Sequence, residues 1–163
     1  MLLISDANIF IDLEKTDLLQ HFDKLGMAVA TSDFVYNELN SEQKSIVSQL
    51  NVEIYTMDAE ELLDFFNAFA AQNFKKLSSQ DYSIFYYAKK HHGEVLSNDK
   101  RLRVYAKDKS VAVKGLFYIL DAMVEQACVT PRTMVEKLLH LKEINKRLPL
   151  DELDKRIKLW MPK

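Results

Sequence analysis

The chain has 163 residues, a formal net charge of −2, three glycines, three prolines and one cysteine. That length predicts one domain with its own core, and the scarcity of glycine and proline predicts many helices joined by short connections. The lone Cys128 excludes an intramolecular disulfide and a multi-cysteine metal site, and it is typical of a reducing, cytoplasmic compartment.

The hydrophobic pattern predicts strands that alternate with helices. Five short apolar strands are predicted, at about 2–5, 27–30, 52–56, 94–97 and 111–113. Helices are predicted at about 7–14, 16–24, 32–39, 41–50, 58–72, 78–92, 99–108, 115–127, 130–142 and 150–160. This order implies an α/β fold in which a parallel sheet lies between two helical layers.

We expect a single domain over 1–163, with a core of about 1–125 and a helical C-terminal extension of about 126–163. The apolar start of the chain contains Asp6 and Asp12 and has no basic region, so we do not expect a signal peptide. No apolar run is long enough to span a membrane.

Charge is distributed unevenly along the chain. Residues 1–64 contain 13 acidic and 3 basic side chains, whereas residues 65–163 contain 11 acidic and 19 basic ones. The basic residues have two interpretations, as solvated helix faces or as a phosphate-binding rim. The rim would lie beside Asp99 and comprise Lys100, Arg101, Arg103 and Lys107.

Four acidic residues occupy positions where the pattern predicts apolar surroundings: Asp6, Glu38, Asp81 and Asp99. Asp6 and Asp99 directly follow predicted strands, at the sheet edge where α/β proteins form their sites. Glu38 and Asp81 share helix faces with apolar neighbours three and four residues away. Two carboxylates about 4 Å apart repel by about 4 kcal/mol at an effective dielectric constant of about 20. A converging set therefore predicts a divalent-metal site, and all-oxygen ligands favour Mg²⁺ or Mn²⁺.

Each candidate also has a purely structural interpretation. The three aspartates can cap helices, whereas Glu38 lies too far into its predicted helix to do so. Asn8 either supports the metal site or caps a helix. Ser97 either places a hydroxyl beside the metal or phosphate, or is a small residue at a strand end. We interpret Asp12 as a solvated surface acid.

Three other functions fit parts of the pattern. A receiver-like phosphoacceptor module would use Asp58, Ser97 and Lys114, but it leaves Glu38 and Asp81 without a role. A phosphatase of the haloacid dehalogenase type needs a second aspartate where Asn8 stands. A catalytically silent binding module is the third alternative, and the presence of all four acids argues against it.

Four segments, taken together and in order, resemble the PIN-domain nucleases. They are Ser5-Asp6-Ala7-Asn8, Phe34–Leu39, Leu77–Asp81 and Leu96–Arg103, and the resemblance covers about residues 1–125. Gly115-Leu116, Leu120-Asp121-Ala122 and the downstream helices also resemble a prokaryotic subgroup of VapC-type toxins. Two departures, at Asp33 and at Ser97-Asn98, remove no acidic residue but leave the choice of substrate open.

The resemblance implies an α/β/α sandwich that acts as a Mg²⁺- or Mn²⁺-dependent endoribonuclease. It also implies frequent homodimerisation and often a partner antitoxin. Carried over by position, Asp6, Glu38, Asp81 and Asp99 are the metal-binding and catalytic residues, and Asn8 is a polar helper. Our hypothesis is that Asp6 and Asp99 bridge the principal ion, that Glu38 and Asp81 act through waters or on a second ion, and that the basic residues beside Asp99 bind RNA.

Overall fold

A parallel sheet forms the centre of the fold. The computed structural model describes residues 1–72 and 77–162, and within them it has five strands. These are β1 (Leu2–Ser5), β2 (Ala28–Ser32), β3 (Val52–Tyr55), β4 (Glu94–Leu96) and β5 (Val113–Lys114). Their order across the sheet is β3-β2-β1-β4-β5, and every neighbouring pair is parallel.

Helices connect the strands and extend beyond the last one. In the described residues they are α1 (Ala7–Lys15), a 3-10 helix (Leu19–Leu25), α2 (Asp33–Tyr36), α3 (Ser41–Gln49), α4 (Ala59–Ala70), α5 (Ser79–Lys90), α6 (Lys100–Asp108), α7 (Leu116–Glu125), α8 (Pro131–Ile144) and α9 (Leu150–Trp160). No helix in this part of the chain is long and apolar enough to cross a membrane. The predicted α/β/α sandwich with extra C-terminal helices is confirmed.

The strand order places the ends of β1 and β4 next to each other. Ser5 is in register with Leu96, and the N–H of Asp6 donates to the Leu96 carbonyl at 3.1 Å. The chain leaves β1 for β2 on one side and returns to β4 on the other, so the topology switches between these two strands. In open α/β sheets, that switch creates a crevice at the carboxyl ends of the strands.

The same strand order excludes the receiver-like alternative. Receiver domains share the order 2-1-3-4-5, in which β3 lies next to β1. Here β3 lies at the edge of the sheet, with β2 between it and β1. Asp58, the would-be phosphoacceptor after β3, is an exposed cap whose side chain accepts from the Glu61 N–H at 2.8 Å.

Two predicted helices are shorter than expected. The α-helix predicted at 16–24 is a 3-10 helix that begins at Leu19, because Asp17 has a φ of 56° and interrupts the helical path. The helix predicted at 32–39 is the four-residue α2, because Asn40 starts a new helix. The Asn40 side chain accepts from the Gln43 N–H at 2.8 Å, and the Asn40 N–H donates to the Gln43 side chain at 2.9 Å.

The shortening of α2 changes the setting of Glu38. This residue lies in the turn after the helix and its side chain is exposed, whereas its neighbour Leu39 is buried. The prediction that Glu38 lies on a buried helical face is therefore wrong.

The C-terminal extension is fixed to the core by polar contacts. Arg156 in α9 forms two hydrogen bonds with the Asp121 carboxylate, at 2.7 and 2.8 Å, and one with the Glu152 carboxylate at 2.9 Å. Its guanidinium also lies 4.5 Å from the centre of the Phe117 ring. This arrangement ties α9 to α7.

A second contact joins the extension to the first helix. The Asn145 amide donates to the Asp12 carboxylate at 2.9 Å, and Asp12 is only 7% exposed. Burial raises the pKa of Asp12, and the Asn145 hydrogen bond opposes that rise. The interpretation of Asp12 as a solvated surface acid is therefore wrong.

We expect Arg156→Met to lower the free energy of unfolding by about 1–3 kcal/mol, because it leaves the half-buried Asp121 without its charged partner. Chemical denaturation would measure this change. Lys155→Met, at the exposed neighbouring position, is the matched control and should stay within about 0.5 kcal/mol of wild type. Equal effects of the two substitutions would contradict the role given to Arg156.

Candidate active site

Asp6 lies at the junction of β1 and α1 and is almost completely buried, with 2% of its surface exposed. One carboxylate oxygen, Oδ1, accepts from the Ile9 N–H at 3.2 Å, so Asp6 caps α1. The other oxygen, Oδ2, accepts from the Ser97 hydroxyl. Both contacts fix the direction in which the carboxylate faces.

Ser97 connects Asp6 with Asp99. The Ser97 side chain is fully buried, and its oxygen accepts from the Asp99 N–H at 3.0 Å while the hydroxyl donates to Asp6. Asp99 in turn caps α6, because its Oδ1 accepts from the Leu102 N–H at 2.9 Å. Two carboxylates from adjacent strand ends are thus each placed at the positive end of a helix.

Asp81 approaches the same edge of the sheet from α5, which packs against β1, β2 and β4. It is half-buried in the first turn of that helix, and its N–H donates to the Ser78 hydroxyl at 3.1 Å. The capping arrangement predicted from Ser78 is present. This hydrogen bond fixes the backbone of Asp81 at the start of α5.

The pKa values of these residues depend on one another. Burial raises the pKa of Asp6 to about 7; the hydrogen bonds from Ser97 and Ile9 oppose the rise, and the charges of Asp81 and Asp99 add to it. Burial also raises the pKa of Asp81 to about 6, to which the charges of Asp99 and, less strongly, Glu38 contribute. The four predicted residues therefore lie within electrostatic range at one edge of the sheet.

The acidic edge has no salt-bridged cation among the residues that the structure describes. Among residues 1–72 and 77–162, none of the four acids forms a salt bridge with Lys, Arg or His. Glu38 is the outermost member, and its pKa is raised by desolvation alone. Within the described part of the chain, the acidic edge thus has no paired cation to offset the charge of its members when they ionise.

The donor groups of the acidic edge suit a hard divalent metal ion. Four carboxylates without a paired cation are the ligand chemistry that Mg²⁺ and Mn²⁺ prefer. In the part of the chain that the structure describes, however, no three acidic, histidine or cysteine side chains are close enough together to hold one ion directly. Because Mg²⁺ usually retains several of its waters, the residues fit a hydrated ion held partly through water.

The supporting residues differ in their placement. Asn8 is exposed in the first turn of α1 and its side chain forms no hydrogen bond with the described residues, so the capping interpretation falls to Asp6 instead. Lys100 and Arg101 are exposed at the start of α6. Arg103 is half-buried and donates to the Ser97 carbonyl at 2.8 Å, so it also stabilises the loop that carries Ser97.

Sequence reasoning missed a set of buried hydroxyl groups beside the acids. Thr31 donates to the Ser5 carbonyl at 2.7 Å, and the Ser32 and Ser83 hydroxyls lie 2.6 Å apart. The signal for them was the change from apolar to hydroxyl residues at the end of β2. The Ser32–Ser83 contact ties α5, and with it Asp81, to the end of β2, and the Thr31–Ser5 hydrogen bond joins β2 to β1.

A second missed feature holds the loop before Asp99 in place. The Asn98 side-chain oxygen accepts from the Leu116 N–H at 3.0 Å. A Cβ atom at Gly115 would lie 2.5 Å from that oxygen, so only glycine allows this close approach. The loop that carries Ser97 and Asp99 is therefore fixed from the side of β5 as well.

Comparison with known proteins gives a family and several similar solved structures. A family model described as a PIN domain matches residues 2–161. The chain is similar to a PilT N-terminus domain protein from the hyperthermophilic archaeon Sulfolobus solfataricus, with 11% identity and a TM-score of 0.51 over 77% of this chain and 95% of that one. It is also similar to FitAcB from Neisseria gonorrhoeae, with 18% identity and a TM-score of 0.45 over 72% of this chain and 99% of that one. No curated protein matches the chain.

The raised pKa of Asp6 predicts a pH-dependent stability in the absence of metal. The folded state holds the Asp6 proton up to a pKa of about 7, against an ordinary value of 3.8. The stability that the protonated group contributes is thus complete below about pH 4 and is lost as the pH rises to about 7. The free energy of unfolding of Asp6→Asn, relative to that of wild type, should therefore rise by about 4 kcal/mol as the pH increases through this window.

Chemical denaturation at several pH values in EDTA would measure the difference between the two chains. Asparagine also caps helices, so circular dichroism should show the same helix content in both. A difference in stability that does not change with pH would contradict the burial of an ionisable Asp6.

Proposed function

The chain belongs to the PIN-domain family, and from that premise we propose that it is a divalent-metal-dependent endoribonuclease. The reaction is hydrolysis of phosphodiester bonds in single-stranded or structured RNA. One observation carries the proposal: Asp6, Asp81 and Asp99 come from three separate segments, the charge of Asp99 helps to raise the pKa of the other two, and none of the three forms a salt bridge among residues 1–72 and 77–162.

Under this proposal Asp6 and Asp99 would bind Mg²⁺ or Mn²⁺, with Asp81 and Glu38 acting through water, because no three potential ligands among the described residues are close enough to share an ion directly. The ion supplies positive charge against the phosphodiester and lowers the pKa of a nearby water. Ser97 keeps the carboxylates of Asp6 and the backbone of Asp99 in fixed positions. Such preorganisation matters because small displacements of catalytic groups lower rates strongly.

Asp81 is the best candidate for the general base. Burial and the charges of Asp99 and Glu38 raise its pKa to about 6 in the metal-free protein, and a carboxylate with a raised pKa is a better acceptor for the proton of the attacking water. Hydrolysis by direct in-line attack needs no covalent intermediate, and the sequence offers no Ser-His or Cys-His arrangement that would form one.

The exposed Lys100 and Arg101, beside Asp99, bind the RNA backbone in this proposal.

The resemblance to VapC-type toxins extends the proposal to a toxin of a toxin–antitoxin pair that acts as a homodimer. Light scattering would test the dimer. Growth arrest on expression, relieved by Asp6→Asn, would test the toxin.

A silent binding module is the second candidate function. It is favoured by the finding that, among the described residues, no three potential ligands are close enough to share an ion directly. The cleavage assay below distinguishes the two candidates, because a silent module would bind RNA or protein without hydrolysing RNA under any metal condition.

We expect Asp6→Asn and Asp99→Asn each to reduce RNA cleavage by at least about 100-fold while the fold is retained, since asparagine preserves both helix caps. Cleavage of a labelled single-stranded RNA should stop in EDTA and return with added Mn²⁺. Asp58→Asn, which alters an exposed cap outside the site, is the control and should cleave at the wild-type rate. Full activity in either site variant would count against the proposal.

Glu38 and Asp81 should differ in importance. Glu38 is exposed in a turn, whereas Asp81 is half-buried between the other acids. We therefore expect Glu38→Gln to slow cleavage by about tenfold or less and Asp81→Asn to slow it by at least about 100-fold. Rates measured over a range of Mg²⁺ concentrations would separate weaker metal binding from slower chemistry, and the reverse ranking would contradict the assigned roles.

A further inference from the structure

A cavity outside the acidic edge is lined mainly by cations. It has a volume of about 310 Å³ and lies between α6 and the segment that joins α8 to α9. Four basic side chains line it: Lys100, Arg103 and Lys107 from α6, and Arg147 from the joining segment. No carboxylate lines it.

These cations are arranged on one face. Lys100, Arg103 and Lys107 follow the i, i+3, i+7 spacing, which places them in a row along α6. Within residues 1–72 and 77–162, none of the four forms a salt bridge with Asp or Glu. Like charges that face one cavity repel each other, so an anion bound there would relieve that repulsion.

The walls of the cavity are held in place from the core. The Arg147 N–H donates to the Asn145 side chain at 3.0 Å, and Asn145 is itself bound to the buried Asp12. On the other wall, the Arg103 guanidinium is anchored to the Ser97 carbonyl. The two walls therefore rest on the same helix and strand that position Asp6.

The location of the cavity decides between possible anions. Lys100 directly follows Asp99 in the chain, so the cavity adjoins the acidic edge. A strand of RNA that crosses the acidic edge would reach the cavity within a short distance. Without a bound cation, the negative charge of the RNA would keep the strand away from the acids themselves. Arginine guanidinium groups suit phosphate oxygens because they donate two parallel hydrogen bonds.

We propose that this cavity is a phosphate-binding site for the RNA backbone, in which the C-terminal extension takes part through Arg147. The exposed Val104 and the neighbouring Pro149 add apolar surface on which a ribose can lie. That the ligand is RNA rests on the function proposed above. That the cavity suits a phosphate group does not rest on it.

Binding of a fluorescent single-stranded RNA, measured by anisotropy over a series of salt concentrations, tests the proposal. All chains carry Asp6→Asn and are kept in EDTA, so that no RNA is cleaved. Arg147→Gln and Lys107→Gln should each weaken binding about tenfold at low salt and reduce the salt slope by about one. Lys146→Gln, a neutralised neighbour that does not line the cavity, is the matched control and should bind as the parent does.

Identical binding by the Arg147→Gln and Lys146→Gln chains would overturn the proposal. So would displacement of RNA by polyglutamate of equal charge as effectively as by unlabelled RNA, since that result would assign the cavity to an acidic peptide. Cleavage does not enter the measurement. If the protein needs Arg147 to bind RNA but never hydrolyses RNA, the proposed nuclease activity is refuted and the phosphate-binding cavity is supported. If the protein hydrolyses RNA but binds it equally well without Arg147, the nuclease activity is supported and the cavity proposal is refuted.

Discussion

A single hydroxyl group links the two central strands at the place where they end. The Ser97 side chain donates to the Asp6 carboxylate and accepts from the Asp99 backbone, so that two residues 93 positions apart in the chain bind the same oxygen atom. Parallel strands place their carboxyl ends at one edge, and the Ser5–Leu96 register aligns the two that matter. The acidic edge exists because this register brings the strand ends together.

Capping and site formation are not alternatives in this molecule. Asp6 and Asp99 each cap a helix, and both still take part in the acidic edge. A carboxylate at a helix N-terminus gains from the dipole and from the N–H groups that it accepts, and these contacts also fix its direction. The contacts that cap the helices therefore also hold the two carboxylates at the acidic edge, and those of Asp6 offset part of the cost of its burial.

Sequence reasoning located the elements that depend on local pattern. The bounds of β1 and α9 agree with prediction. The placement of Asp6 and Asp99 at the ends of their strands follows from two apolar strands in a parallel sheet. It failed where local signals compete, as at Glu38, because the strong cap at Asn40 ends one helix and begins another. It also failed at Asp12, because the partner that makes its burial possible, Asn145, lies 133 positions later.

The contact between Asp12 and Asn145 has a consequence for synthesis on the ribosome. Domains generally begin to fold from the N-terminus as the chain emerges. The first helix of this protein cannot satisfy its buried acid until residue 145 has left the exit tunnel, and β1 must wait for β4 before its edge is complete. In the nascent chain the acidic edge is therefore complete only after β4 has emerged, and the buried Asp12 gains its hydrogen bond only when Asn145 has followed.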